Sequence, residues 1–386
     1  MTARKIAVFT GSRAEYGLLI PVIRAIDAAP DLELQLIVSG DHVSGDAEAV
    51  PVAARVSIER SDESAGSTPR AIGAGIVAVT NALERLAPDV VVIYGDRFEA
   101  FAALIAATQM SVPTAHMEGG DLTQGGTLDD VVRHAMSKLA HIHFPTNADA
   151  AERLRKMGEE PWRIHTVGFP PIDLITEGDF APRDEVLSAL GLDTARPIVL
   201  FTLHPISTSP DHAGREIDAC LTALARVREK MDAQLVLTYP NGDVGSDAII
   251  SALAEFTEAH PGTVLRPSLG RWLYHGLLSV CGAEKGVCVG NSSSGLKETG
   301  AFHCPAVDVG PRQTGRLRGT NVIGAAVETE SIFDAVRKCL LDEAFRAEVR
   351  AAENPYGKGN TGPLITQVLQ DLDLGNPGLV AKKTLL

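Results

Sequence analysis

The chain has 386 residues, a formal net charge of −14 at pH 7 and 45% apolar residues. This length exceeds that of one typical domain, so we expect two domains, and the apolar fraction is large enough for two hydrophobic cores. A general binder of nucleic acid or of another polyanion is usually basic, so the acidic charge disfavours that class. A small anion remains a possible ligand, because a local cluster of bases can override the net charge.

The cysteines and the N-terminus indicate a reducing, non-membrane location. The chain has five cysteines, an odd number, and none is arranged as CxxC. A disulfide framework or a zinc ribbon is therefore not expected, and we predict reduced thiols packed in the cores. Residues 5–10 form a strand pattern rather than a signal peptide, and no apolar run approaches the ~20 residues of a membrane span. We predict a cytoplasmic protein that binds no membrane.

Strand and helix patterns alternate along the first half of the chain. Strands are predicted at residues 5–10, 32–39, 89–94, 112–117, 141–145 and 162–168. Helical spacing of apolar residues predicts helices at 15–28, 70–86, 98–108 and 128–139. This alternation is typical of βαβ units that build a parallel sheet.

Residues 169–182 are rich in Pro, Gly and Asp and are the predicted linker. The alternation then restarts, with strands at 197–202, 234–238, 263–266, 286–289 and 306–309, and helices at 218–231, 247–258, 273–279, 295–301 and 365–372. We predict an α/β protein with two doubly wound Rossmann-like domains, residues 1–175 and residues 183–365, facing each other across a cleft. Residues 366–386 would form a C-terminal helix and tail. Such sheets bind ligands at the carboxyl ends of their strands.

Carboxylates follow two consecutive predicted strands of the first half. Gly95-Asp96-Arg97 comes directly after the strand DVVVIY, and Glu118 comes directly after VPTAHM. If the two strands are neighbours in one parallel sheet, both side chains project from its carboxyl edge. One acid at such a place could be a solvated side chain or a helix cap. Two on consecutive turns favour a functional site.

The next predicted helix carries two acid–base pairs at a spacing of four residues. Asp129 with Arg133, and Asp130 with His134, each share a helix face, although both could be ordinary surface pairs. The glycine pair at 125–126 would let the helix begin close to the preceding acid. Clustered carboxylates separate their pKa values by mutual repulsion, which supplies one acid and one base near neutral pH.

A metal site is the competing explanation for these acids. His116 and Glu118 alternate in a strand and so would point to opposite faces, which argues against joint ligation. His141 and His143 could bind a metal, but packing against the sheet explains them as well. We therefore predict no metal.

A glycine–serine turn, GNSSSG at 290–295, follows a strand and opens a helix. Small residues let backbone amides approach an anion, hydroxyls donate hydrogen bonds, and the helix N-terminus adds partial positive charge. The turn lacks the lysine of a P-loop and the GxGxxG spacing, and simple N-capping by serine is the alternative. Glu298, one turn into the helix, could accept from ribose hydroxyls.

Basic residues at other strand ends add candidate anion contacts. Arg13 lies in the first βα turn, PRQTGRLR at 311–318 brings three arginines into one loop, and His204 ends a strand. An arginine loop of this kind could also serve only solubility. Together the patterns predict a nucleotide bound mainly by the C-terminal half, with its reactive part presented to the N-terminal acids.

An ordered set of motifs resembles the hydrolysing UDP-N-acetylglucosamine 2-epimerases of sialic-acid-type pathways. The motifs run from about residue 5 to about residue 370 and are GSRAEYGLL, YGDRFEA, HMEGGD, DDVVRHAMSKLAH, an HP pair after a strand, GNSSSGLKETGAF and GPRQTGR. Each motif is weak alone, but the ordered set is specific. The resemblance implies the glycosyltransferase-B fold, which agrees with the two predicted domains.

The resemblance also implies a reaction. UDP-N-acetylglucosamine, or a close relative, plus water would give UDP and the free sugar inverted at C2, of the N-acetylmannosamine type. The implied path is elimination of UDP to a glycal, followed by hydration. Elimination needs a base for the C2 proton and stabilisation of the departing diphosphate. The resemblance implies no cofactor, a UDP-sugar as the small-molecule partner, and a homo-oligomer, either dimer or tetramer.

The family motifs assign expected roles to individual residues. The expected catalytic residues are Asp96, Glu118, Asp129, Arg133 and His204. The expected substrate-binding residues are Arg13, Arg97, Asn241, Arg266, Ser292, Ser293, Glu298 and Arg312. The acids would transfer protons, and Arg97 and Arg133 would orient them or the sugar. The diphosphate would contact His204, Arg13, Arg312 and the two serines, whereas Glu298 would bind ribose and the strand end at Arg266 would lie near uracil.

Two departures from the family pattern bear on the substrate. The stretch between Glu118 and Asp129 is a couple of residues longer than the family pattern, beside the expected sugar site. We interpret this insertion as a possible mark of a modified sugar, such as a UDP-2,4-diacetamido-2,4,6-trideoxyhexose of the legionaminic-acid branch. Lys358 stands where the family pattern has an acid.

Four alternative functions remain from the sequence. A non-hydrolysing 2-epimerase is disfavoured because HMEGGD replaces an HxEAGLR-type motif. A glycosyltransferase of the same fold would need an acceptor, and a nucleotide-sugar-binding regulator would show no turnover. A nicotinamide oxidoreductase is remote because GxGxxG is missing.

Overall fold

A computed structural model describes residues 3–40, 50–62, 64, 66–123, 128–206, 209–242 and 244–385. The chain divides into two compact units. The first unit comprises Met1–Asp121, Asp129–Asp173 and Gly357–Leu386, and the second comprises Leu122–Leu128 and Leu174–Tyr356.

The first unit is built on one parallel sheet. Its strands are β1 (Arg4–Thr10), β2 (Leu32–Ser39), β3 (Val52–Val56), β4 (Val90–Tyr94), β5 (Thr114–Met117) and β6 (Ile142–Phe144). Its helices are α1 (Arg13–Asp27), α2 (Ser67–Leu86), α3 (Phe98–Gln109), α4 (Leu128–Leu139) and α5 (Ala148–Lys156), with α14 (Thr361–Asp371) from the end of the chain. Among the described residues the strand order is β3-β2-β1-β4-β5-β6.

The core of this unit explains the continuous apolar run of its strand β4. Every residue of β4 (VVVIY) is buried, as expected for a strand covered by helices on both faces. The helices α2 and α3 pack closely because small residues line their contact. A Cβ added to Gly75 of α2 would lie 3.0 Å from the Cβ of Ala102 in α3.

The second unit repeats this architecture. Its strands are β7 (Ile198–Thr202), β8 (Gln234–Thr238), β9 (Val264–Arg266), β10 (Gly286–Gly290), β11 (Ala306–Val309) and β12 (Val322–Ala325). The helices are α6 (Pro171–Glu177), which leads into the unit, α7 (Arg183–Leu190), α8 (Ala213–Met231), α9 (Ser246–Ala259), α10 (Gly270–Ala283), α11 (Ser294–Lys297), α12 (Thr329–Leu341) and α13 (Glu343–Ala351). The strand order in the described residues is β12-β11-β10-β7-β8-β9.

Both sheets reverse their winding direction once, between β1 and β4 in the first unit and between β7 and β10 in the second. This reversal defines a doubly wound sheet, and ligands of such folds bind beside the carboxyl ends of the strands at the reversal. The predicted fold class, two doubly wound Rossmann-like domains of the glycosyltransferase-B type, is confirmed. Within the described ranges, no helix has both the length and the apolar character needed to span a membrane.

Two predicted elements are wrong. Residues 162–168 are not a strand: a 3-10 turn, Pro161–Arg163, is followed by a single bridge between Ile164 and His143. The predicted linker at 169–182 contains α6, whose residues Ile172 and Leu174 are buried. Proline at the first position of that helix is compatible with helix initiation, because this N–H has no intrahelical acceptor.

The end of the chain corrects the predicted domain boundaries. The segment Gly357–Leu386 belongs to the first unit, whereas the sequence analysis divided it between the second domain and a tail. The side chain of Asp173 accepts hydrogen bonds from the N–H groups of Thr361 (2.9 Å) and Gly362 (2.8 Å), which caps the start of α14. Gly362 allows α14 to approach α1 closely, since an added Cβ would lie 2.7 Å from the carbonyl oxygen of Pro21. These contacts involve residues far apart in sequence and leave no periodic signal.

The turn after β10 predicts a contrast between two glycine substitutions. Gly290 has φ +136°, and an added Cβ would lie 1.8 Å from the carbonyl oxygen of Thr202, so Gly290→Ala should destabilise the protein by roughly 3 kcal/mol or more. Gly295 has no atom within 4 Å of an added Cβ, so Gly295→Ala should be neutral or slightly stabilising. Chemical denaturation of both variants measures this difference. Equal stability of the two would contradict the described turn.

Candidate active site

Two acids leave the same edge of the first sheet, as predicted. β4 and β5 are paired, with Tyr94 opposite Met117, so Asp96 and Glu118 follow adjacent strand ends. Glu118 has a left-handed backbone with φ +64°, which is uncommon for a residue other than glycine. Its N–H donates to the carbonyl of Phe144 on β6 at 3.1 Å. The bend turns the chain away from the sheet directly after the strand.

Arg133 gathers acidic groups around one buried guanidinium, with only 1% of its side chain exposed. One nitrogen contacts the carboxylate of Asp96. Nη1 donates to the carboxylate of Asp130 and to the carbonyl of Asp121, each at 3.2 Å. Burial opposes the charge of Arg133, but the negative charges of Asp96, Asp121 and Glu118 outweigh it and raise the pKa of Arg133. These carboxylates and Arg133 therefore form one cluster, which we call the acid–arginine cluster.

The first turns of α4 supply part of this cluster. Asp130 contacts Arg133 at i,i+3 and also the imidazole of His134, 3.7 Å away at i,i+4. The predicted pairing of Asp130 with His134 is therefore confirmed, but Asp130 also serves Arg133, which the sequence analysis assigned to Asp129. The glycine pair at 125–126, expected to bring the helix close to Glu118, lies outside the described residues.

Arg97 connects Asp129 electrostatically to the turn after β4. The Arg97 guanidinium donates to Glu99 at 2.8 and 3.2 Å. Burial opposes its charge, but the hydrogen bond and the charge of Glu99, together with the more distant charge of Asp129, outweigh burial and raise the pKa of Arg97. Asp129 itself is exposed at the start of α4. Its carboxylate acts on Arg97 through space.

Tyr94 is a member of the site that the sequence analysis missed. Its ring is buried, and its hydroxyl shares a hydrogen bond with Glu118. Burial and the charge of Glu118 raise the pKa of Tyr94 well above its ordinary value, so the hydroxyl stays protonated. Its place as the last residue of a buried strand was the available signal, because such a side chain meets the same sheet edge as the following acid.

Three histidines of the first unit, His116, His141 and His143, pack as structural groups. Nε2 of His116 lies 2.7 Å from the carbonyl oxygen of Gly95, and burial lowers the pKa of His116 to about 4. A neutral imidazole thus supports the turn that carries the catalytic candidates. Nδ1 of His141 bonds to Thr114, and Nε2 of His143 bonds to Glu159. The described ranges contain no group of three or more His, Cys, Asp or Glu side chains that could hold a metal ion.

Glu15 is a second residue that the sequence analysis missed. It is 5% exposed, its Oε2 accepts the N–H of Gly11 at 2.6 Å, and its Oε1 has no hydrogen-bond partner among the described residues. Burial raises the pKa of Glu15 to about 8, so the group is a neutral acid at pH 7. Ser12 caps α1 by accepting the N–H of Glu15, and the S-x-x-E spacing was the sequence signal.

A cavity of about 610 Å³ opens at this edge of the first sheet. Its wall includes two predicted substrate-binding residues, Arg13 and Arg97, together with Ser39, Arg60 and Asp62. Serine hydroxyls and charges of both signs suit a polar, uncharged ring with several hydrogen-bonding substituents better than a simple anion.

His204 of the second unit is held as a neutral hydrogen-bond donor. The backbone N–H of His204 donates to Oδ1 of Asn291 (2.7 Å). The imidazole Nδ1 of His204 accepts the backbone N–H of Asn241 (3.0 Å). Burial, followed by the charge of Arg312, lowers the pKa of His204 to about 3. Because Nδ1 accepts, the proton resides on Nε2, which is therefore a donor for a phosphate or sugar oxygen.

The glycine–serine turn opens a shorter helix than predicted. Residues 295–301 divide between α11, which spans Ser294–Lys297, and a 3-10 turn at Thr299–Phe302. Ser293 precedes α11 but makes no side-chain capping bond, so simple capping does not explain it. Ser292 accepts the N–H of Ser294 at 3.4 Å. Phosphate binding by the hydroxyl of Ser293 stays a prediction.

Glu298 is a buried carboxylate held by two partners. The hydroxyl of Ser294 donates to its Oε2 at 2.6 Å, and Nε2 of His275 lies 3.4 Å from the same oxygen. Burial opposes its ionisation, but the bonds to His275 and Ser294 outweigh it and lower the pKa of Glu298. A fixed, ionised carboxylate is a suitable acceptor for a pair of ribose hydroxyls.

Asn291 and Gln313 organise this second site and were missed by sequence reasoning. The carbonyl of Asn291 accepts from Nη1 of Arg312 at 3.1 Å and from Nε2 of Gln313 at 2.7 Å. The side chain of Asn291 also bonds both backbone groups of His204. One amide residue thereby positions the turn, the histidine and the arginine. A lone Asn in a turn gives no sequence signal for this.

The arginine loop contributes less to anion binding than its composition suggests. Arg318 is paired with the buried Asp308 at 2.5 Å, and Arg316 donates to the carbonyl of Leu122 within the same unit at 3.1 Å. Arg312 is the loop arginine that contacts the turn. Arg266 is exposed at the end of β9, at the sheet edge, and donates to the carbonyl of Leu265.

Comparisons with known proteins agree with this fold and identify the family. A structure of UDP-GlcNAc 2-epimerase from Neisseria meningitidis bound to UDP-GlcNAc superimposes with a TM-score of 0.81 at 18% identity, covering 96% of this chain and 100% of the other. This likeness shows the fold. The family model for UDP-N-acetylglucosamine 2-epimerase matches residues 24–370. The chain therefore belongs to the UDP-N-acetylglucosamine 2-epimerase family.

Two curated relatives are similar over nearly the whole chain. The chain is 31% identical to a hydrolysing UDP-N,N'-diacetylbacillosamine 2-epimerase of Legionella pneumophila, covering 96% of this chain and 97% of the relative. It is 32% identical to a UDP-N-acetylglucosamine 2-epimerase of Neisseria meningitidis, covering 89% and 90% respectively.

The raised pKa of Glu15 predicts a pH-dependent loss of stability. The carboxyl ionises near pH 4.5 when it is exposed by unfolding but only near 8 when folded. The free energy of unfolding should therefore decrease as the pH rises from about 4.5 to about 8, by up to about 1.4 kcal/mol per pH unit. Glu15→Gln, which mimics the neutral acid, should remove this slope and be more stable than wild type at pH 8.5.

Thermal unfolding at pH 5 and pH 8.5 measures the effect. Glu84→Gln, at an exposed position of α2, is the matched control and should shift stability equally at both pH values. Glu15→Gln should stabilise the protein more at pH 8.5 than at pH 5. An equal or smaller stabilisation at pH 8.5 would show that Glu15 is not a buried neutral acid.

Proposed function

We propose that this protein is a hydrolysing 2-epimerase. It would convert a UDP-2-acetamido sugar and water to UDP and the free sugar inverted at C2. The observation that carries the proposal is the acid–arginine cluster, in which carboxylates from the ends of β4 and β5 and from the start of α4 surround one buried guanidinium. Proton removal and proton return at one carbon need several acidic groups fixed together.

The proposed reaction has two steps, an elimination and a hydration. In the first, a carboxylate removes the C2 proton, a double bond forms between C1 and C2, and the C1–oxygen bond breaks with its electron pair going to UDP. In the second, water adds to C1 and a proton is returned to C2 on the opposite face. Asp96, Glu118 and Asp129 are the proposed proton-transfer set. Arg133 orients Asp96, and the protonated hydroxyl of Tyr94 orients Glu118.

The second unit supplies the groups that would hold UDP. The diphosphate gains charge as it departs, so fixed donors that stabilise this charge lower the barrier. Nε2 of His204 and the guanidinium of Arg312 are such donors, with Ser292 and Ser293 as further contacts. Arg13 of the first unit stays a predicted diphosphate contact. Glu298 would bind the ribose hydroxyls, and the end of β9 at Arg266 would lie near the base. Asn241 acts through His204, whose tautomer it sets.

The sugar is proposed to be UDP-N-acetylglucosamine or its 2,4-diacetamido-6-deoxy analogue. Relatives named for each of these sugars have nearly the same identity to this chain. The insertion between Glu118 and Asp129 favours the modified sugar, and the cavity beside Arg13 and Arg97 has room for extra substituents. The free product would suit a pathway that condenses amino sugars into sialic- or legionaminic-type acids.

Substrate profiling tests the reaction and the sugar together. Purified protein is incubated with UDP-N-acetylglucosamine and, separately, with the 2,4-diacetamido-2,4,6-trideoxy analogue. We expect release of UDP and of a C2-inverted free sugar, with a kcat/KM at least about tenfold higher for one of the two sugars. Conversion to an epimerised nucleotide sugar without free UDP would identify a non-hydrolysing enzyme and refute the proposal.

Glu118→Gln tests the role of the acids. The change keeps the shape of the side chain but removes its charge, so kcat should fall by about 100-fold or more, whereas the dissociation constant for UDP should change less than about twofold. Kinetics of UDP release and calorimetric titration with UDP provide the two values. Glu152→Gln, at an exposed position of α5, is the control and should match wild type. Weakened UDP binding with intact turnover in Glu118→Gln would contradict the assigned role.

A further inference from the structure

The C-terminal segment places a lysine against the end of α4. The side chain of Lys382 is 14% exposed, and its Nζ lies 2.6 Å from the carbonyl oxygen of Ala140, 2.9 Å from that of Lys138 and 3.2 Å from that of Ser137. Carbonyls at a helix C-terminus have no intrahelical donors and carry partial negative charge. The ammonium of Lys382 therefore caps α4 from a distant part of the chain.

A buried carboxylate fixes this ammonium from the other side. The side chain of Glu159 is fully buried, and its oxygens lie 2.6 Å from Nζ of Lys382, 2.6 Å from Nζ of Lys138 and 2.9 Å from Nε2 of His143. Burial opposes the ionisation of Glu159, but these hydrogen bonds outweigh it and lower its pKa to about 2. The carboxylate joins the C-terminal segment to α4 and β6.

The backbone around Lys382 is anchored as well. The buried guanidinium of Arg163 donates to the carbonyls of Gly378 (2.5 Å) and Leu379 (2.8 Å), and the N–H of Leu385 donates to the carbonyl of Gly158 (2.9 Å). Anchors on both sides of Lys382 hold its side chain against the helix. The contact is therefore a built feature of the first unit rather than a loose surface pair.

Contiguous contacts connect the capped end of α4 to the acids. The hydroxyl of Ser137 bonds to the carbonyl of Arg133 (3.0 Å) and lies 3.3 Å from Nδ1 of His116. Nε2 of His116 bonds to the carbonyl of Gly95, the residue before Asp96. A displacement of α4 would thus move Arg133 relative to Asp96 and loosen the turn that carries Asp96.

We propose that Lys382 is a positioning residue for the acid–arginine cluster, because its ammonium fixes α4 at the helix end opposite to the acids. The inference rests on the proposed function for its activity readout. The ammonium touches no reacting atom in this scheme. Its loss should therefore reduce turnover through geometry and leave the binding of UDP unchanged, since the second unit supplies most of the proposed UDP contacts.

Removal and chemical restoration of the ammonium test the proposal. Lys382→Cys removes the charge, and alkylation with 2-bromoethylamine restores an ammonium on a side chain of the same length. The five native cysteines are all buried, so they should react slowly. We expect kcat of the Lys382→Cys variant to fall about 10- to 100-fold, with the dissociation constant for UDP changed less than about twofold, and aminoethylation to restore most of the activity.

Hydrogen exchange provides a readout that does not depend on the reaction. Amides of α4 should exchange faster in Lys382→Cys than in wild type and slow again after aminoethylation. Lys383→Cys, at the exposed neighbouring position, is the matched control. It should match wild type in kcat, in UDP binding and in hydrogen exchange, both before and after alkylation.

Several outcomes would overturn the proposal. These are an unchanged kcat in Lys382→Cys, a loss that aminoethylation does not reverse, or an equal loss in Lys383→Cys. If Lys382→Cys does not fold, Lys382→Gln takes its place, with folded protein of reduced kcat expected. Failure of both variants to fold would show that Lys382 serves stability instead.

If wild type releases no UDP from either sugar, the proposed function fails, and the exchange experiment alone decides whether Lys382 holds α4.

Discussion

The buried charge of Arg133 must be compensated for the first unit to fold. An ionised guanidinium with 1% of its side chain exposed is tolerated only when it is paired and hydrogen-bonded. Asp96, Asp121 and Asp130 meet this requirement from the turn after β4, the loop after β5 and the first turn of α4. Breaking such a buried pair typically costs about 3–5 kcal/mol. The folded state therefore requires these three segments to stay together, which is also what a proton-transfer site requires.

The two units use different means to present polar groups. The first gathers charge: carboxylates compensate Arg133 and Arg97, while Glu15 and Tyr94 stay neutral because burial raises their pKa values. The second relies on a neutral imidazole and on amide groups, with Asn291 orienting His204 and the loop of Arg312. Neutral donors and one oriented guanidinium can hold an anion without a strongly basic surface. Such an arrangement would let a protein of net charge −14 bind the proposed nucleotide.

Periodicity predicted most of the fold because the central elements obey simple rules. β4 is a continuous apolar run, α4 has helical spacing and begins at the predicted residue, and the acids follow strand ends whose direction is set by the parallel sheet. The same rule could not predict partners that are distant in sequence. Arg133 pairs with Asp96 across 37 positions, and Lys382 meets Ala140 across 242. Tyr94 and Asn291 were missed because each acts through such a contact. Glu15 bonds within its own turn, so the S-x-x-E spacing was a usable signal for it, but the burial that makes it neutral was not visible in the sequence. The helix α6 was missed because its Pro-rich context resembles a linker.

The central claim is that fixed carboxylates exchange the proton at C2 of the sugar while the bond to UDP breaks. Reaction of the wild-type protein in D2O, followed by NMR and mass spectrometry of the released sugar, tests this claim most directly. Elimination followed by hydration predicts one deuterium at C2 of the inverted sugar, appearing in step with free UDP. Release of UDP together with a sugar that keeps its original hydrogen at C2 would contradict the account.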